Sequence, residues 1–211
     1  MSALAPFVSR ARSLVFDFDG TLVDSNAIKY RAFERCFEDT PAARQVEILV
    51  YCRGAHHTPR WEKFRHVYER ILKRPYTFKV QEKLLRRFDV ETTRPIAQAP
   101  EIPGASRFLA HVARTHVTAL LSSTPQEILM EILEDRGWRG YFQVVQGAPV
   151  DKAQWLAAWC RTHKETLFFG DTVEDARAAR RAGCLFVGVA NQGLRDEAIQ
   201  VLEDFTGMVT G

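Results

Sequence analysis

No two cysteines in this 211-residue chain are spaced as a CxxC pair or a metal-ligand set; Cys36, Cys52, Cys160 and Cys184 lie far apart. A chain of this size needs no disulfide staples, so the four are expected as reduced thiols in a cytoplasmic protein. Strong charge of one sign is also missing. Lys and Arg number 29 against 26 Asp and Glu, a formal charge of +3, and the two signs alternate along the chain. That balance is too small to imply a nucleic-acid partner and reads as solvated helix surface. No apolar run reaches membrane-spanning length, and none precedes the first strand as a signal-peptide core would, so no membrane partner is expected. Repeats and low-complexity tracts are lacking as well.

Apolar residues make up 46% of the chain, enough for a substantial core. Strand-like runs occur at 13–18, 117–121, 142–145, 166–169 and 185–189. Helical patterns at 104–114, 124–136, 151–163 and 173–182 alternate with the later ones. Such alternation predicts a parallel sheet covered on both faces. The stretch 26–98 reads instead as successive helices near 26–38, 41–52, 59–73 and 78–88. The third is expected to start with Thr58 as N-cap and Pro59 at N1, and Trp61, Phe64, Val67, Tyr68, Ile71 and Leu72 mark its apolar face. Pro95, Pro100 and Pro103 make 91–103 read as a linker. The parse is an α/β core of residues 1–25 and 99–211, interrupted by a helical domain of residues 26–98.

Four segments carry chemistry. In Leu14-Val15-Phe16-Asp17-Phe18-Asp19-Gly20-Thr21, an apolar strand ends in two acids spaced two apart, then a turn. Acids converging at a strand end suit a hard cation, an acid/base pair, or a nucleophile with a proton partner. In Leu120-Leu121-Ser122-Ser123-Thr124-Pro125-Gln126-Glu127, a strand ends in hydroxyls. Thr124 is expected to cap the next helix with Pro125 at N1 and Glu127 at N3, which leaves Ser122 to donate to an anion. Asp151 is expected to cap a third helix, placing Lys152 at N1, where a cation opposes the helix dipole. That local cost favours a lysine reaching an anion as a point charge. In Leu167-Phe168-Phe169-Gly170-Asp171-Thr172-Val173-Glu174-Asp175, a strand again ends in acids, and Asp175 falls on the first turn of the following helix. Capping by Asp171 or Thr172 is the structural alternative there; a Mg²⁺ site is the chemical one. Acids, hydroxyl, lysine, acids, each at the carboxyl end of a strand, converge where open α/β sheets bind ligands.

With these motifs the chain resembles the haloacid dehalogenase superfamily of phosphotransferases over nearly its whole length. Asp17, Asp19 and Thr21 match the first family motif, Ser122 the second, Lys152 the third, and Asp171 with Asp175 the fourth. The resemblance implies a Rossmann-like parallel-sheet core with an inserted all-helical cap of the phosphoglycolate-phosphatase and β-phosphoglucomutase type. Pro103-Gly104 before the second strand fits that group. Members that dehalogenate or cleave carbon–phosphorus bonds lack the second acid, so Asp19 implies phosphate-ester chemistry.

The implied reaction is Mg²⁺-dependent hydrolysis of a small-molecule phosphate monoester, a phosphosugar or a phosphoglycolate-like acid. Asp17 would be the nucleophile and Asp19 the general acid/base. Asp17, Asp171, the Asp19 backbone carbonyl and Asp175 would hold Mg²⁺, Asp175 directly or through water. Thr21, Ser122 and Lys152 would bind phosphate. The cap would close over the mouth and read the leaving group, with Arg53, Arg60 and Lys63 as specificity candidates beside the polar pair His56-His57. No nearby acid or cysteine completes a metal site at that pair. A phosphosugar mutase is the alternative enzyme, and a binding protein on an inactivated scaffold the non-enzyme alternative. Monomer and dimer both stay open.

Overall fold

The computed structural model describes residues 4–55 and 58–208; His56 and His57 lie outside the described residues. The chain forms two units, Met1–Asp24 with Ala99–Gly211, and Ser25–Gln98.

The first unit begins with a short helix, α1 (Ala5–Arg10), and strand β1 (Ser13–Phe16). In the second unit follow α2 (Asn26–Cys36), α3 (Ala42–Gly54), α4 (Arg60–His66) and α5 (Phe78–Ala97). The chain then completes the first unit with α6 (Ala105–Val112), β2 (Val117–Pro125), α7 (Gln126–Asp135), β3 (Val144–Ala148), α8 (Lys152–Thr162), β4 (Thr166–Gly170), α9 (Val173–Ala182), β5 (Leu185–Val189) and β6 (Gln200–Leu202). The six strands form one parallel sheet in the order β3-β2-β1-β4-β5-β6. This is an α/β, Rossmann-like fold. Among the described residues no helix is long and apolar enough to cross a membrane.

β1 is fully buried between β2 and β4, as its unbroken Leu-Val-Phe run requires of a central parallel strand. Phe16, the last residue of β1, is in register with Leu120 and Phe169; β4 ends one residue further on at Gly170, and β2 runs on to Pro125. Alternation sorts their side chains. Val15 packs with Phe168, Leu156 and Ala179 in the α8/α9 layer. Phe16 stacks on Phe169 at 4.8 Å and meets Phe108 of α6 edge-on at 6.1 Å on the opposite face. Odd-numbered β1 residues therefore point toward α8, and Asp17 continues that series. The sheet order reverses between β1 and β4, which opens a crevice at their carboxyl ends.

The expected core strands and helices are present within a few residues. Two short elements, α1 and β6, have no sequence expectation behind them; six and three residues are too few to show a periodicity.

The helical unit departs from expectation at two places. Residues 91–97 are helix rather than linker, because α5 runs unbroken to Ala97 with Pro95 in its last turn. Its buried face, Leu84, Phe88, Thr92 and Ile96, keeps a four-residue spacing past the expected end, so burial outweighs the hydrogen bond that Pro95 removes. The expected 59–73 helix begins at Arg60 with Pro59, not Thr58, in the cap position. It passes into a π-turn over Val67–Ile71, where the Leu72 N–H donates to the Val67 carbonyl at 2.8 Å. Phe64, Val67 and Ile71 stay buried through this change, whereas Trp61 is 39% exposed.

Within that unit Lys63 is only 8% exposed. Its ammonium donates to the Cys52 carbonyl at 3.2 Å and lies 5.3 Å over the Phe33 ring. Burial pushes its pKa down to about 8. The unfolded chain then binds more protons than the folded one between about pH 8 and the ordinary lysine value, so this group makes stability rise with pH across that window. Lys63→Met is expected to raise stability at pH 7 by about 2–3 kcal/mol, with the gain vanishing above the ordinary lysine pKa. Urea denaturation of both proteins at neutral and alkaline pH measures it.

Candidate active site

The first site loop is pinned by its apolar residues. Phe18, Leu22 and Val23 are fully buried, and the Phe18 carbonyl accepts from the N–H groups of Leu22 and Val23 at 2.9 and 3.2 Å. Gly20 supplies the turn at φ 82°, a conformation that side-chain-bearing residues rarely adopt. Asp17 still belongs to the sheet through its N–H, which donates to the Phe169 carbonyl at 2.8 Å. Both acids end up nearly buried, Asp17 at 5% and Asp19 at 8% exposure.

Asp17 faces α8, as alternation requires. The Lys152 ammonium donates to Asp17 Oδ1 at 2.6 Å and to Asp175 Oδ1 at 2.7 Å. Asp151 caps α8 by accepting from the Gln154 N–H at 3.0 Å, which places Lys152 on the first turn as the sequence predicts. Burial pushes the Asp17 carboxyl up to about 6 against the pull of Lys152, with Asp175 and Asp19 adding to the rise. Burial works the other way on Lys152, but Asp17 and Asp175 outweigh it and hold the lysine pKa above its ordinary value.

The fourth segment is built around a close approach. A Cβ on Gly170 would lie 2.6 Å from Asp175 Cβ, so only glycine lets α9 press its first turn against the end of β4. Thr172, not Asp171, caps α9: its Oγ1 accepts from the Asp175 N–H at 3.1 Å and donates to Asp175 Oδ2 at 2.5 Å. Both Asp175 oxygens therefore accept from the protein. Thr21 donates to Asp17 Oδ2 at 3.3 Å and to Asp171 Oδ1 at 3.4 Å, linking the first and fourth segments. Asn191, beyond β5, donates to the Asp171 carbonyl at 2.8 Å. Oxygens of Asp17, Asp171 and Asp175 all lie within 4.8 Å of one another. Three carboxylates facing one ammonium leave surplus negative charge on hard oxygen donors, which suits a small divalent cation.

The second segment differs from expectation. Thr124 does not cap α7. β2 continues to Pro125, which occupies the cap position, and Thr124 is 8% exposed. Its hydroxyl donates instead to Asp19 Oδ2 at 2.8 Å, a long-range partner that outcompetes the local one. The Thr124 N–H donates to Ser122 Oγ at 3.1 Å. With that lone pair occupied, the Ser122 hydroxyl proton is turned elsewhere. Asp17, Thr21, Lys152, Asp171 and Asp175 are thus drawn together, and Asp19, Thr124 and Ser122 form a second hydrogen-bonded group, with Asp19 outside the acidic triad.

The three specificity candidates are engaged inside the helical unit. Arg60 pairs with Asp89 and lies over the Phe88 ring. Lys63 is buried as described. Arg53 pairs with Glu34 at 3.7 Å and lies over the Tyr30 ring, yet its side chain keeps 58% exposure. Sequence reasoning passed over Thr124's contact with Asp19, the close packing at Gly170, and Asn191. A glycine immediately before a strand-end acid was a visible signal; the other two depend on contacts across 105 and 20 residues of chain.

The chain belongs to the haloacid dehalogenase-like hydrolase family, whose model matches residues 14–189. Solved structures agree in fold. CbbY from Rhodobacter sphaeroides, in complex with phosphate, matches with a TM-score of 0.73 at 18% identity, covering 94% of this chain and 96% of that one. A predicted phosphoglycolate phosphatase from Haemophilus somnus matches at 0.70 and 19% identity over 94% and 96% of the two chains. Bacillus subtilis YfnB, bound to magnesium, matches at 0.70 and 15% identity over 94% and 97%. No curated protein matches the sequence.

Two outcomes follow from the packing. Because Asp17 binds its proton more tightly folded than unfolded, the metal-free protein loses stability as pH rises from the ordinary carboxyl value to about 6. Asp17→Asn is expected to stabilise the metal-free protein at pH 7.5 by about 1–3 kcal/mol and to leave it unchanged near pH 4, measured by denaturant titration in EDTA. Gly170→Ala forces a Cβ into Asp175 and is expected to cost about 1–3 kcal/mol, read from the denaturation midpoint.

Proposed function

We propose that this chain is a Mg²⁺-dependent phosphatase of small-molecule phosphate monoesters, of phosphosugar or phosphoglycolate type, working through an aspartyl-phosphate on Asp17. The supporting observation is the separation of two neighbouring acids into two environments. Asp17 lies 2.6 Å from the Lys152 ammonium, in the acidic triad, and Asp19 is held apart by the Thr124 hydroxyl at 2.8 Å. Paired carboxyl groups placed in different surroundings take different roles.

Asp17 is the nucleophile. Lys152 orients its carboxylate and shifts its charge onto the equatorial phosphate oxygens as the bond to phosphorus forms. Ser122, whose oxygen already accepts from Thr124, directs its own proton to the same oxygens. Thr21 steadies the Asp17 side chain. Asp19 gives a proton to the departing alkoxide and then takes one from the water that cleaves the aspartyl-phosphate.

The donor set fits Mg²⁺. Asp17 and Asp171 would hold it with the Asp19 backbone carbonyl, and Asp175 through water, since both Asp175 oxygens already accept from Lys152 and Thr172. When bound, the ion supplies the positive charge that offsets repulsion between a carboxylate and a phosphate dianion. The family membership, the phosphate-bound CbbY structure and the magnesium-bound YfnB structure support the same reading.

Hydrolysis of p-nitrophenyl phosphate tests it. Turnover is expected with Mg²⁺, is expected to disappear in EDTA, and is expected to fall on the order of 10³-fold or more in Asp17→Asn. Full turnover by pure Asp17→Asn would remove Asp17 as nucleophile.

A further inference from the structure

Thr124 is the next-to-last residue of β2. Between Leu121 and Pro125 on β2 the partner β3 advances only from Gln146 to Ala148, so β2 carries a bulge at the mouth of the sheet. Bulges beside functional sites re-aim side chains. This one is held at both sides. Inside it, the Thr124 N–H donates to Ser122 Oγ at 3.1 Å. Outside it, Gly147 makes room: a Cβ there would sit 2.7 Å from the Thr124 carbonyl and 2.6 Å from Gln126 Cα. Beside this bulge the Thr124 hydroxyl reaches Asp19 Oδ2 at 2.8 Å in a place where both residues are only 8% exposed.

Lys152 already serves two carboxylates, and Asp19 lies close enough to Asp17 to raise the Asp17 pKa. The neutral Thr124 hydroxyl fixes an oxygen of Asp19 without adding charge. We propose that Thr124 is a positioning residue for Asp19, holding the carboxyl where it can hand its proton to the leaving-group oxygen. This role rests on the phosphatase reading above. In the step it serves, the bond from Asp17 to phosphorus forms as the bond to the leaving oxygen breaks. The proton leaves Asp19 for that oxygen, and Asp19 remains as a carboxylate.

The dependence of rate on leaving group tests this. Phenyl phosphate and p-nitrophenyl phosphate have nearly the same shape, but p-nitrophenolate departs with little protonation, whereas phenolate needs it. In Thr124→Val, kcat/KM, which reports transfer to Asp17, is expected to fall about 10-fold or more for phenyl phosphate and about 3-fold or less for p-nitrophenyl phosphate. Thr124→Ser is expected to restore the wild-type ratio. The ratio is taken within one preparation, so a partly unfolded variant does not change it. An equal loss on both esters, or no recovery in Thr124→Ser, overturns the positioning role and leaves the phosphatase reading standing. If the wild type hydrolyses neither ester with Mg²⁺, or Asp17→Asn hydrolyses both, the phosphatase reading fails and this role fails with it.

Discussion

The Lys152 ammonium lies between Asp17 and Asp175, at 2.6 and 2.7 Å, in a place where the lysine side chain is 17% exposed and the two acids 7% and 2%. Removing three charged groups from water is costly, and only close mutual contact offsets it. That contact draws together the end of β1, the start of α8 and the start of α9. It depends on Gly170, because Asp175 reaches the lysine only if the chain beneath it has no Cβ. It also depends on Asp151, whose cap sets the first turn from which Lys152 extends. One ammonium against Asp17, Asp171 and Asp175 is an incomplete neutralisation, and the surplus negative charge on oxygen donors suits a small divalent cation.

Lys63 shows what the same residue does without carboxylates. It too is buried, but a backbone carbonyl and an aromatic ring are what it meets, and its proton is held more loosely than in water. Lys152 holds its proton more tightly although burial opposes this, because two anions touch it. Burial alone lowers a lysine's pKa; the sign of the final shift is decided by partners. The contrast separates a lysine that stores a structural cost in the helical unit from one that ties two carboxylates together in the sheet unit.

Much of the site was legible because its motifs are local. An apolar strand that stops at an acid states where the sheet ends, and alternation along Val15 and Asp17 states which way that acid faces. The cap formed by Asp151 was readable for the same reason, since its partner is three residues away. Thr124 followed the same local grammar, with a hydroxyl, a proline and a glutamate in capping positions, and the expectation failed. Local spacing offers a threonine a helix cap, but a carboxylate 105 residues distant is the better acceptor once the fold brings it near. Pro95 failed in the same direction. Proline is a local breaker, yet Thr92 and Ile96 continue the buried face of α5 on either side of it.

The sequence by itself determined the alternating α/β core, the helical insertion after the first strand, and the order of acids, hydroxyl, lysine and acids at successive strand ends. These follow from periodicity and nearest-neighbour hydrogen bonding, which act over a few residues. Only the tertiary structure decided which group each polar side chain serves: Lys152 shared by two aspartates, Asp19 given to Thr124, Asp175 doubly engaged, Arg60 and Lys63 taken up inside the helical unit. Polar partners are chosen by distance and desolvation among groups far apart in the chain, and neither quantity exists until the chain has folded.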